Sequence, residues 1–322
     1  MSAGSGTKAV IAALLANLGI AVTKFLAFLL TGSSSMLAES VHSVADSGNQ
    51  ALLLVGGRRA RRRATPLHPF GYGRERYIYA FIVSIVLFSV GGLFALYEAW
   101  HKFEDPHGID SWHWVPVTVL IVAIGLESMS FRTAIKESNH VRGRSSWVEF
   151  VRHSRAPELP VVLLEDFGAL LGLVFALFGV VLTLVTGDGV WDAVGTAMIG
   201  LLLVAIAVVL AIETKSLLLG EAATPETAAR IEQALTGTDG VDRIIHMRTL
   251  HLGPEELLVA AKIAVTPNAT AAEVARAIDA AEAKVREAVP IARVIYLEPD
   301  IYASGRAAAE AAAAEPAGER AG

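Results

Sequence analysis

Glu39, His42 and Asp46 occur at i, i+3 and i+7 within MLAESVHSVADSGNQALLL. On a helix all three fall near one face, with His42 and Asp46 one turn apart. An imidazole and a carboxylate so placed can reach one cation, and a metal ion supplies the charge that an apolar surround denies them. Glu39 lies nearer one end of the stretch and either joins this set or lines the way into it. The plainer use of the pair, a His–Asp hydrogen bond fastening neighbouring helices, does not call for a third acidic residue on the same face. A second group, Glu165 and Asp166, stands among aliphatics in ELPVVLLEDFGALLGLVFALFG. Adjacent side chains point about 100° apart on a helix, so one carboxylate faces any site shared with the first group. The other protonates, finds a separate partner or meets water. Asp166 is the favoured ligand. Reading both as protonated packing groups assigns two costly residues to one task.

Weaker signals surround these two groups. Asn17 and Asn49 suit hydrogen bonds between helices, and Lys24 either snorkels outward or neutralises a carboxylate. Glu127 carries a charge and is a lesser candidate ligand beside Glu39. His246 and His251 share one predicted strand at an odd separation, which places them on opposite faces and argues against a common site. The chain has no Cys, so thiolate zinc sites, disulfides and thiol chemistry are excluded, and His, Asp, Glu or backbone oxygen must hold any metal. No HExxH or GxSxG motif accompanies the carboxylates. Two other uses of such residues remain, an intramembrane metal-dependent enzyme and a metal-responsive regulatory protein.

The elements that carry these groups are set by hydropathy. Of 322 residues 53% are hydrophobic, and the mean hydropathy of +0.50 is too high for an ordinary soluble protein. Crossing the hydrocarbon core takes about 20 mostly apolar residues. Such stretches run from about Ala9 to Leu30, Met36 to Val55, Tyr77 to Trp100, Trp114 to Phe131, Leu159 to Val185 and Val190 to Ile212. The first reads as a retained span, because no small-residue cleavage pattern follows a short apolar core. Arginines from Arg58 to Arg76, and Lys136 to Arg155, fall between the second and third and the fourth and fifth spans, whereas the alternate loops carry a single Lys. The positive-inside rule puts the basic loops and both termini in the cytoplasm, as expected of a multi-pass protein of the inner (plasma) membrane. Trp100, Trp112, Trp114 and Trp191 mark the opposite interface. The net charge of −5 gives no overall basic excess for nucleic acid.

Past Gly220 the pattern changes. TPETAARIEQAL reads as a helix with Thr224 as N-cap and Pro225 at its first position. DRIIHMRTLHL and ELLVAAKIAV read as strands joined at Gly253 and Pro254, followed by a helix over Ala271 to Ala288 and a last strand, ARVIYLEP. The expectation is an all-α six-helix transmembrane domain over 1–220 and a small α+β domain of order αββαβ over 221–302. The latter resembles half to most of a ferredoxin-like domain. The Ala-, Glu- and Gly-rich tail over 303–322 is expected to be disordered.

TGSSSMLAESVHSVADSGNQ followed by HPFGYGRERYIYAFI resembles the second span and following loop of the cation diffusion facilitators, and the likeness covers nearly the whole ordered chain. The resemblance implies export of zinc or a related divalent ion by a homodimer exchanging metal for protons, and nitrogen and oxygen donors of this kind also tolerate iron, cobalt or manganese. It implies no tightly bound cofactor, and it makes His42 and Asp46 half of the transport site. In the commoner pattern a His or Asp precedes the equivalent of Asp166 by four residues, where this chain has Val162. By this resemblance Glu165 is the expected substitute, as in the branch similar to the animal zinc transporter numbered nine, whose fifth span also shows a Glu-Asp pair. A His-rich loop between the fourth and fifth spans, common in zinc-specific members, is replaced by a segment holding only His140 and His153.

Overall fold

The computed structural model describes residues 3–109 and 112–302, with side chains from residue 17 onward. The tail expected to be disordered lies outside them. The chain forms two compact units, one holding residues up to 63 and 74–218, the other 64–73 and the chain from 219 onward.

The first unit is helical: α1 (Ala3–Thr31), α2 (Ser34–Ala60), α3 (Glu75–Val86), a π-helical segment (Leu87–Leu93), α4 (Phe94–Glu104), α5 (Trp114–Arg142), α6 (Trp147–His153), α7 (Glu158–Thr186) and α8 (Val190–Leu219). Among the described residues four stretches are long and apolar enough to cross a membrane: Glu75–Glu104, Trp114–Arg142, Glu158–Thr186 and Val190–Leu219. Asn17–Thr31 adds a shorter apolar helix. In α2 the serines, Glu39, His42, Asp46 and the terminal arginines dilute the hydropathy. Leu29, Ile121, Val122, Val185 and Leu201 are exposed along these helices, an arrangement suited to lipid as solvent. The protein is a multi-pass membrane protein.

Local chemistry sets the helix boundaries. Gly32 takes a positive φ of 64°, and the Ser33 hydroxyl then accepts from the Met36 N–H to start α2. Gly187 ends α7 in the left-handed conformation. The π segment contains Gly91 and Gly92, and a methyl group on Gly92 would fall 2.7 Å from a side-chain carbon of Val204 in α8. A corresponding contact occurs between α7 and α8, where the Gly179 and Gly195 backbones meet so closely that a methyl on Gly179 would lie 2.8 Å from the Trp191 carbonyl. The short α6 was not anticipated, although Ser146 and Glu149 form a capping box at its start.

The second unit contains α9 (Pro225–Thr236), β1 (Val241–Gly253), β2 (Glu256–Val265), α10 (Ala271–Ala288) and β3 (Ala292–Asp300), the expected αββαβ order. Thr224 caps α9 and Pro225 opens it. The sheet has order β1-β2-β3, with β2 antiparallel to β1 and parallel to β3. Its core gathers Ile231 and Leu235 from α9, Leu257, Val259 and Ile263 from β2, Ala281 and Val285 from α10, and Ile295 from β3. In the loop over residues 64–73, Gly73 lies against the hairpin, where a methyl group would meet the Leu252 carbonyl at 2.8 Å.

Candidate metal site

The periodicity of α2 carries Glu39, His42, Asp46 and Asn49 into the interior of the first unit, where all four are buried. His42 Nδ1 lies 3.4 Å from Asp46 Oδ1, but the two make no hydrogen bond. Both ring nitrogens of His42 and Asp46 Oδ1 are buried without a hydrogen-bond partner. Such an atom costs about 1–3 kcal/mol, which makes this cluster the candidate for a ligand site. Gly91 of the π segment borders the imidazole, and a methyl there would stand 3.9 Å from His42 Nδ1. π segments recur at functional sites. A cavity of about 10 Å³, room for roughly one water-sized body, is lined by Asn17, Ile20, Ser43, Asp46 and Glu127.

The α7 residues divide as helix geometry requires. Glu165 turns to α2, where Asn49 Nδ2 donates to its Oε1 at 2.7 Å and the Asp46 carboxyl lies close by. Asp166 turns to α5 and accepts from Ser130 Oγ at 2.9 Å. The structure therefore gathers His42, Asp46, Asn49 and Glu165, and sets Asp166 at the α5–α7 contact. Glu127 faces Asp46 across the small cavity. Glu39 lies one turn from His42 and binds the Lys24 ammonium through Oε2 at 2.9 Å. Of the two uses considered for Lys24, neutralising a carboxylate is the one observed. Its ammonium also donates to Ser43 Oγ at 2.8 Å. A methyl on Gly172 would fall 2.7 Å from Glu39 Oε1, so glycine allows α7 to approach here. Among the described residues no group of three or more His, Cys, Asp or Glu side chains is drawn together tightly enough to enclose a metal ion. In the second unit His246 is exposed and His251 is buried, on different sides of β1.

One buried carboxylate was missed by sequence reasoning. Asp192, at the start of α8, accepts from the Ser33 hydroxyl at 2.9 Å, the Ser34 N–H at 2.7 Å, the Ser34 hydroxyl at 3.2 Å and the Ser35 N–H at 3.3 Å. An anion at the N-terminus of α2 satisfies donors that the helix cannot satisfy itself. The available signal was the pairing of a triple serine at one helix start with an acidic residue at another.

Fold and site together define a multi-pass membrane protein with imidazole and carboxylate groups gathered inside its helices. The family described as "Cation efflux transmembrane domain" matches residues 10–219, and "Cation efflux protein, cytoplasmic domain" matches residues 223–300. The chain belongs to the cation efflux family. It is 31% identical over 242 residues to the "Proton-coupled zinc antiporter SLC30A9, mitochondrial" of Xenopus laevis, covering 74% of this chain and 43% of that protein. It is 27% identical over 266 residues to "Metal tolerance protein C4" of Arabidopsis thaliana, covering 80% of this chain and 56% of that protein. With "Metal cation efflux system protein CzcD" of Cupriavidus metallidurans it shares 26% identity over 233 residues, 71% of this chain and 68% of the other. The chain thus spans less than half the length of the antiporter and about half that of the plant protein.

Proposed function

We propose that this protein exports divalent metal ions across its membrane in exchange for protons. Zinc is the foremost cargo, and iron, cobalt and manganese lie within reach of the same donors. The observation that carries this reading is the cluster of buried, unpartnered atoms on His42 and Asp46 beside Glu165. Imidazole nitrogen and carboxylate oxygen coordinate zinc only when deprotonated, so metal and proton compete for the same atoms. Alternate exposure of such a site to two compartments couples their movements in opposite directions. His42, Asp46 and Glu165 form its core, Asp166 joins from the α5 side, and Glu39 and Glu127 are outlying members. A bound ion draws these donors inward from the spacing they have here. The names of the relatives support transport rather than enzymatic chemistry, and membership of the family argues against both the regulatory and the enzyme readings.

In this reading α1 and α2 complete six spans, residues 1–220 form the transport domain and 221–302 a cytoplasmic domain of partly ferredoxin-like build. Both termini face the cytoplasm, and the membrane is the plasma membrane. The mitochondrial relatives make the organelle the competing location. The match of residues 223–300 to the cytoplasmic domain designated ZT_dimer supports a homodimer. The direct test is metal uptake into inverted or reconstituted vesicles under an imposed pH gradient. Gradient-driven zinc uptake by the wild type, lost in Asp46→Ala and His42→Ala at equal protein content, is the expected result. Equal uptake in all three refutes the site.

A further inference from the structure

Lys24 is the one cation among the described residues whose charge sits inside this constellation, and the transport chemistry outlined above gives it no role. Its side chain is fully buried, and its ammonium is held by Glu39 Oε2 at 2.9 Å and Ser43 Oγ at 2.8 Å. Ser43 also lines the small cavity together with Asp46 and Glu127, so the group that anchors Lys24 belongs to the wall of the candidate site. Glu39 Oε1 meanwhile remains buried and unpartnered, against Gly172. The pair leaves acceptor capacity on the side of α7.

We propose that the Lys24 ammonium is a tethered cation that stands in for the metal when the site is empty and competes with the metal when it arrives, so that it weakens binding and speeds release. This rests on the transport reading. The physical basis is charge balance: Glu39, Asp46, Glu127, Glu165 and Asp166 are buried or half-buried carboxyl groups in one bundle. A fixed positive charge lowers the cost of leaving them without cargo. The same charge repels an incoming divalent ion. The Lys24 ammonium rests on Glu39 and Ser43 rather than on His42 or Asp46, so its competition with the ion acts through charge, and the free Glu39 Oε1 provides a second acceptor for it as the ion settles.

The test is zinc titration by calorimetry, together with zinc flux in proteoliposomes, on the full chain. Lys24→Gln keeps an N–H donor for Glu39 and removes the charge. It is expected to tighten zinc binding by at least about tenfold, the scale of one unit charge acting on a divalent ion across roughly 6 Å even at the dielectric of water. Flux at saturating zinc should fall because release is slowed. Lys24→Arg, which keeps the charge, should stay near wild type in affinity. Because Lys24→Gln leaves Glu39 with a buried charge and could fail to fold, a second comparison is made in the Glu39→Gln background. There Lys24→Gln relieves an unpaired ammonium and should again tighten zinc binding. Unchanged or weaker binding on removing the charge, in either background, overturns the proposal even when wild-type flux is normal. A wild type that neither binds nor moves zinc instead refutes the transport reading, and this inference falls with it.

Discussion

In the second unit the described helix starts are closed by their own residues. The Thr224 hydroxyl accepts from the Thr227 N–H, and Thr270 and Glu273 form a reciprocal capping box at α10. In the first unit Glu39, His42, Asp46 and Asn49 all keep a buried polar atom without a hydrogen bond. The helices themselves do not account for the difference, since α2 is capped as carefully as α9. What differs is the side-chain chemistry placed inside. The second unit buries Ile231, Leu257 and Val285, which are satisfied by contact alone, whereas the first buries polar groups that its own residues satisfy only in part. One unit is complete as folded, and in the function proposed above the other is organised around a partner outside the chain.

Substitutions can break or sharpen that contrast. The largest expected effect separates the two neighbouring carboxylates of α7. Glu165→Gln should reduce zinc flux by at least the roughly 10- to 100-fold seen when groups around a metal are lost. Asp166→Asn, which can still accept from Ser130, should lose less, and the reverse ranking in the vesicle assay would move the site toward α5. Next comes Leu257→Ala, which opens a cavity in β2 and is expected to cost about 2–5 kcal/mol in unfolding of the second unit. Hydrogen exchange on the full chain reads this unit by unit, and an equal loss in the α2 amides would erase the distinction. Asp192→Asn should follow at about 1–3 kcal/mol, because an amide cannot accept on both arms from the Ser33 to Ser35 donors. Thermal unfolding in detergent with and without zinc measures it. The smallest effect is at Glu273, whose carboxyl is held below the usual range by the Thr270 N–H. A lowered folded value means that its stabilisation is complete above the ordinary carboxylate range and is lost as pH falls through the lowered one. Glu273→Gln should therefore unfold slightly earlier than wild type near neutrality and match it in acid.

Much of this was legible in the sequence because it is local. The 3.6-residue period of α2 placed Glu39, His42 and Asp46 on one face, and a hydroxyl followed by proline marked the start of α9. Pairings between helices were not legible. Which of Glu165 and Asp166 turns toward α2 depends on the rotation of α7, fixed by close contacts such as Gly172 with Glu39 and Gly179 with α8. Nor could the sequence choose between the two uses of Lys24, since its partner lies 15 residues away on the next helix. The π segment was hidden for a different reason. An extra residue in one turn leaves the hydropathy unchanged, and only the Gly91-Gly92 pair hints at it.

The Asp192 contact also has a consequence for how the chain is made. Ser33 and Asp192 are separated by 159 residues, so the start of α2 emerges from the ribosome long before the carboxylate that completes it. At synthesis rates of about 5–20 residues per second the interval is on the order of ten to thirty seconds. Through that time the serine hydroxyls and the Ser34 and Ser35 amides lack the carboxylate that satisfies them in the folded chain, and water is the partner at hand. The last helix of the first unit therefore fastens its second.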